Sequence, residues 1–340
     1  PTPNSQLPTP ALEIGLRLAG ALWRFWWVRG YLCEGREQLA RLLAAPGARN
    51  LARAKALTGA GLLACGQGDY GAAHAAHTEA LGIALAHGDQ EQTARALNGL
   101  GLTAALLGDW TTARSRYEES LNLWRALEHP RGIVLALSHL GEVALAQGDF
   151  DAANVLAEES LARCRAAGDP LGMAWALEIL GGIAFRQGDI TAARALLEDS
   201  LAIRREHRHS RGMVMSLLAL GKVALRNNDP AEARCHYAES LTLCRELGEK
   251  RGMAACLEGL AAVLSSSRDA PTAALLLGAA AALRQATGAY RAPVEEADYN
   301  RLESETRAAL SPAAFAAAWA EGQAAPLDQV VEPALSGCAE

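Results

Sequence analysis

Two histidines one helical turn apart, His74 and His77, have the spacing to share a metal ion. No third ligand stands at a useful distance along the chain, so no metal site is expected, and both rings are expected on a helix surface. His207 and His209 flank an interhelix loop rich in Arg204, Arg205, Arg208 and Arg211, a cluster whose chemistry suits a phosphate or an acidic segment. The plainer reading of that cluster is a solvated loop between helices. Acidic residues recur as Glu79, Glu119, Glu159, Asp199 and Glu239. Paired carboxylates can move protons, but a column spread over every unit of a repeat is a ladder on a solvated face. Arg125, Arg165, Arg205 and Arg245 recur in the same way, where a cation complements the end of a helix dipole. Cys235, Cys244 and Cys256 have no evident base partner and suit buried thiols. Gly221-Lys222-Val223 lacks both the loop glycines and the hydroxyl of a phosphate-binding loop. These residues assign no catalytic group, no cofactor and no metal, and they disfavour an enzyme.

Composition narrows the partners. The 340 residues are 50% hydrophobic and 21% charged, which excludes a disordered chain. The net charge of −6, with no basic run, argues against direct nucleic-acid binding. Seven cysteines without a C-x-x-C pair fit a reducing compartment and a cytoplasmic location. No secretory signal opens the chain, and the longest uncharged stretch of the helical body, Ala270 to Leu283, is too short to cross a bilayer. A soluble protein is expected.

The elements that carry these residues repeat every 40 positions. Asp69, Asp109, Asp149, Asp189, Asp229 and Asp269 form one column, preceded by Gly68, Gly108, Gly148, Gly188, Asn228 and Arg268. Gly61, Gly101, Gly141, Gly181, Gly221 and Ala261 form another, and Ala73, Ala113, Ala153, Ala193, Ala233 and Ala273 a third. Leu81, Leu121, Leu161, Leu201 and Leu241 form a fourth, lost at Ala281. Each unit holds two apolar-periodic stretches without internal proline, which predicts two helices. The glycine ends the first helix in a left-handed conformation and the aspartate caps the second. Small residues in the Gly101 and Ala113 columns are expected on facing sides of a tight antiparallel hairpin. The predicted fold is an all-α solenoid of seven helical hairpins with no sheet.

Leu100-Gly101, Ala113, Tyr117 and Ser120 have the spacing of the tetratricopeptide repeat, as do Leu140-Gly141, Ala153, Ala157, Ser160 and Leu220-Gly221, Ala233, Tyr237, Ser240. The family's usual proline near the end of the second helix is missing, and 40 residues exceed its common 34, so helices or connections are longer. A right-handed superhelix with the first helices lining a concave face is what this resemblance implies.

Residues 1–10 are expected to be extended or disordered, 11–45 a degenerate capping hairpin, 51–287 six repeats, 288–335 a helical cap and 336–340 a tail. After Glu321, Pro326, Pro333 and Gly337 suggest fraying. Trp23, Trp26 and Trp27 crowd the end of the first helix. They either cover the end of the solenoid or form a docking face for a domain outside this chain. The flanks Leu16 to Ala44, "LLGAAAALRQATGA" and "FAAAWAEGQAAPLDQVV" resemble the C-terminal repeat region of bacterial signal-transducing NTPases and LuxR-family-type transcriptional regulators. That resemblance implies a nucleotide-binding module and a helix-turn-helix domain elsewhere in such a protein. A start at Pro1 rather than Met is taken as the mark of a fragment of a larger regulator, with a free-standing relative as the alternative.

Inward positions that differ from unit to unit are those that packing does not fix. On the first helices these include Arg95, Asn98, His139, Glu142, Trp175, Glu178 and Lys222, which suit a partner peptide or a small polar ligand. They do not reproduce the carboxylate clamp of chaperone-binding members, because Leu62, Gly99 and Leu135 fill clamp-like slots. The leading expectation is a non-enzymatic sensor module of a bacterial transcriptional regulator. A free-standing scaffold that assembles other proteins is the runner-up.

Overall fold

The computed structural model describes residues 9–45, 49–266, 269–288 and 290–335. The expected extended start at 1–8, linker residues Pro46 and Gly47, Arg268 and the tail at 336–340 lie outside them. Among the described residues there are seventeen helices and no strand. The first hairpin is α1 (Thr9–Arg29) and α2 (Leu32–Ala44). Then follow α3 (Leu51–Gly66) with α4 (Tyr70–Ala86), α5 (Gln90–Leu106) with α6 (Trp110–Ala126), and α7 (Pro130–Gln147) with α8 (Phe150–Ala167). Next come α9 (Pro170–Gln187) with α10 (Ile190–Glu206), α11 (Ser210–Arg226) with α12 (Pro230–Leu247), and α13 (Lys250–Ser266) with α14 (Ala270–Thr287). The last three are α15 (Pro293–Ala308), α16 (Pro312–Ala324) and α17 (Leu327–Leu335). Residues up to Leu140 form one compact unit and those from Gly141 a second.

The repeat boundaries follow from capping. Asp109 Oδ1 accepts from Thr112 N at 3.0 Å, and Asp69, Asp149, Asp189, Asp229 and Asp269 do the same at the starts of their second helices. Each such cap contributes about 1 kcal/mol. Gly108 and Asn228 precede two of them at φ 82° and 60°, the left-handed turn that closes the first helix. A second capping column serves the first helices and was not anticipated. Asp89, His129, Asp169 and Glu249 accept from the backbone three residues on at 2.7–3.1 Å. The extra length of the repeat lies in the helices, which run 16–18 residues in every unit.

The hairpins close around one recurring slot, and its filling corrects the expected pairing of small residues. The Gly column receives a larger side chain from the second helix: His77 against Gly61, Tyr117 against Gly101, Leu197 against Gly181, Tyr237 against Gly221. Two of these also press on a glycine in the next first helix, His77 on Gly99 and Tyr237 on Gly259. Where the slot holds only Ala157, Ile179 fills the space beside Gly141. Large and small residues alternate across the slot, as dense packing requires. Below it, Ser120, Ser200 and Ser240 hydroxyls donate to the carbonyls of Ala94, Ala174 and Val214 at 2.7–3.3 Å, tying each second helix to its own first helix.

Both ends depart from expectation. Thr9 and Pro10 belong to α1, so the helix starts inside the segment expected to be extended. The predicted fraying after Glu321 is replaced by α17, whose Val330 and Val331 are buried in the core of the second unit. Apolar burial at that spacing outweighs the proline signal. At the other end of this cap, α14 and α16 approach backbone to backbone: a Cβ at Gly322 would strike the Leu275 carbonyl, and one at Gly278 the Trp319 carbonyl.

Candidate binding face

The first helices carry the residues expected to line a groove, and the structure sorts them into different environments. In the first unit, Arg95 of α5 stays partly exposed, bonds Glu91 one turn back at 2.7 and 3.0 Å, and lies over the Trp124 ring at 5.6 Å. Asn98 is buried with its carbonyl oxygen unpartnered. His139 is buried and stacks on Tyr117, ring centroids 4.7 Å apart and 8° from parallel. Asn98 and His139 therefore face the packed interior, which corrects their placement in the groove. His139 occupies the column that meets the ring slot of the preceding unit, as Gly99 and Gly259 do.

In the second unit, Glu142 of α7 accepts from Trp175 Nε1 of α9 at 2.7 Å, and the half-buried indole packs against the cluster built on Ala144, Ile179 and Ile183. Glu178 is paired with Arg204, whose guanidinium also donates to the Gly212 carbonyl at 2.6 Å and to Ser216 Oγ at 2.9 Å. Burial pushes the Glu178 carboxyl up and the Arg204 charge opposes it. This network joins α9, α10 and α11, and it removes Arg204 from the cluster considered for phosphate. Arg211 has its Nε and Nη2 atoms buried as well, and that burial lowers the guanidinium's pKa. Lys222 of α11 keeps two-fifths of its side-chain surface and pairs with Glu295 of α15 at 2.5 Å. Lys222 and then Arg251 and Arg284 hold the Glu295 carboxyl down at about 2 against desolvation.

Helix α15 was expected only as part of a terminal cap. It also reaches the first helices through its side chains. Asp298 accepts from Arg186 of α9 at 2.9 Å, Glu295 from Lys222 of α11, and Arg291, just before α15, donates to Glu258 of α13 at 2.7 Å. Arg291 also sits over the Tyr299 ring at 3.4 Å. One acidic helix thus touches three successive first helices.

The tryptophan cluster turns inward. Trp26 is 6% exposed and packs on Gly35 and Leu63, Trp23 packs on Gly59, and Trp27 is partly buried in the same cluster. Trp26 is therefore not a docking surface. The exposed apolar stripe of α1 is Ile14, Leu18, Leu22, Phe25 and Val28, which helical spacing could have shown. His77, expected at the surface, is fully buried and neither ring nitrogen has a partner. Among the described residues no group of three or more potential metal ligands is present, and no helix is long and apolar enough to cross a membrane.

Paired helices stacked in register with a shared slot define an α-solenoid of helical hairpins. The family model of the tetratricopeptide repeat matches residues 54–126, 92–166, 132–206 and 172–246, and the chain belongs to that family. No curated protein sequence matches it. Among solved structures, a Rap protein complexed with competence and sporulation factor is similar at a TM-score of 0.58 and 12% identity, over 93% of this chain and 100% of that one. The Rap conjugation gene regulator of plasmid pLS20, in complex with a Phr peptide, is similar at 0.56 and 11%, over 89% and 97%. Aspartyl phosphate phosphatase F from Bacillus subtilis is similar at 0.52 and 10%, over 88% and 95%. At these identities the likeness is one of fold.

Proposed function

We propose that the chain is a non-catalytic binding module that receives a protein or peptide on the face of its first helices. The observation that carries this is the grip of α9 and α11 on a helix through Arg186 and Lys222, which form no ion pair within their own hairpins among the described residues. Arg186 and Lys222 spend their charge on α15, while Glu258 divides its own between Arg284 of the same hairpin at 2.7 and 2.8 Å and Arg291 before α15 at 2.7 Å. One of the similar solenoids is complexed with competence and sporulation factor and another with a Phr peptide, which supports the same use here. The finer reading is a sensor part of a bacterial, cytoplasmic transcriptional regulator of the signal-transducing NTPase type. The resemblance of the two flanks supports it. The reading includes no cofactor and no direct contact with nucleic acid.

Peptides selected from a displayed library against the full chain test the proposal. Binding measured by calorimetry should fall tenfold or more in Arg186→Glu or Lys222→Glu, the worth of one or two charge-assisted contacts. Peptides whose affinity ignores every substitution on this face would overturn it. Turnover of ATP by the purified chain would overturn the non-catalytic part, since the sequence carries no G-x-x-x-x-G-K-[ST] phosphate-binding motif.

A further inference from the structure

Helix α15 is attached differently from the rest of the C-terminal region. Closure of the array is the work of α16, which meets α14 backbone to backbone, and of α17, which buries Val330 and Val331. Helix α15 contributes one fully buried residue, Thr306, while Tyr299 and Leu302 are only partly covered. What holds its first two turns is charge: Glu295 on Lys222, Asp298 on Arg186, and Glu296 within 3.8 Å of Arg291. Of the four groups in the two cross-helix pairs, Glu295, Asp298 and Lys222 keep over a third of their side-chain surface and only Arg186 keeps less, so the attachment is wet and exchangeable. The same face offers more cation than α15 uses. Arg226 is exposed beside Arg186, both lie over the Phe185 ring at 5.3 and 5.8 Å, and Arg226 makes no ion pair among the described residues.

We propose that the face formed by Arg186, Lys222 and Arg226 is a site for an acidic helical peptide, and that α15 is a built-in occupant which the partner must displace. This rests on the peptide-binding reading above and adds the partner's chemistry and its regulation. The α14–α16 backbone approach and the burial of Val330 and Val331 do not run through α15, so its release leaves those closing contacts in place. A partner with one acidic residue more than α15 gains Arg226 and competes with a tethered rival.

The test uses the full chain, amide hydrogen exchange over residues 293–308, and a labelled synthetic peptide of residues 290–310 beside a scrambled peptide of the same composition. In wild type, raising NaCl from about 0.05 to 0.5 M should speed exchange in α15 several-fold while α16 and α17 stay protected, since salt screens exposed pairs. Glu295→Gln with Asp298→Asn should raise α15 exchange roughly tenfold, the worth of two partly exposed pairs, with the circular dichroism spectrum unchanged. That variant should bind the labelled peptide about tenfold more tightly than wild type, and adding Lys222→Glu should abolish the gain. Equal binding to wild type and to the loosened chain, equal binding of the scrambled peptide, or α15 protection indifferent to salt and to both substitutions would each overturn the proposal. If library-selected peptides bind wild type while α15 exchange is unmoved, peptide binding stands and displacement alone is refuted.

Discussion

His77 makes the stability of the first unit depend on pH. Its ring is enclosed by α3, α4 and α5, wedged between Gly61 and Gly99, with both nitrogens unpartnered. Burial, and secondarily the neighbouring His74, lowers its pKa from 6.5 to about 4. The unfolded chain keeps the ordinary value and takes up the proton first. Stability is therefore complete above about pH 6.5 and falls as the pH drops toward 4, where the loss levels off. Linkage gives about 2 kcal/mol lost at pH 5 and about 3 kcal/mol at pH 4. His77→Phe keeps an aromatic ring in a slot that Tyr237 fills between Gly221 and Gly259, but it cannot titrate. It also removes two desolvated, unsatisfied nitrogens, so at pH 8 it should stabilise by on the order of 1 kcal/mol. Urea unfolding of both proteins at pH 8, 5 and 4, followed by circular dichroism, measures the difference directly, because other titrating groups are common to both. The gap between variant and wild type should widen by about 2–3 kcal/mol from pH 8 to pH 4. A gap that stays constant, or narrows, would show that His77 is hydrated or paired in solution, and the account of the slot would be wrong.

Four further outcomes follow from the packing. Arg204→Met strands Glu178 without its partner and should cost about 3–5 kcal/mol in thermal or urea unfolding, while Arg204→Met with Glu178→Gln should recover most of it. Gly259→Ala puts a methyl into the Tyr237 ring and should destabilise by about 1–3 kcal/mol, whereas Gly71→Ala, with open space around it, should be neutral or slightly stabilising. Trp175→Ala loses the bond to Glu142 and part of the cluster against Ile179 and Ile183; a fall in melting temperature without loss of peptide affinity would make it a packing residue and remove it from the binding face. Glu128 and Arg208 hold φ 49° and 51° where Gly88, Gly168 and Gly248 stand in the equivalent turns, so glycine at either should stabilise by up to about 1 kcal/mol.

The legible part of the fold is what one residue type does alone. A cap needs an oxygen three residues before an amide, and a left-handed turn needs glycine or asparagine, so the Asp109 and Gly108 columns are visible in the sequence as repeated letters. The second capping column was missed because Asp89, His129, Asp169 and Glu249 do one job with three different side chains. The ring slot was missed for a related reason. What fills it is set pair by pair, Tyr237 with Gly259, Ala157 with Ile179 and Tyr117 stacked on His139, so neither column is constant by itself.

The same physics explains why the binding face was only partly legible. Positions that vary between repeats were taken as positions that packing leaves open. Glu178 and His139 vary because each has its own internal partner, Arg204 in one case and Tyr117 in the other. Arg186 was not singled out and Lys222 was, yet both meet α15, from 112 and 73 residues away in sequence. No local pattern encodes a contact of that range. What variation among repeats marks is a difference of surroundings, and only the folded chain shows whether these are a neighbouring helix, a distant segment such as α15, or solvent, as at the exposed Arg226.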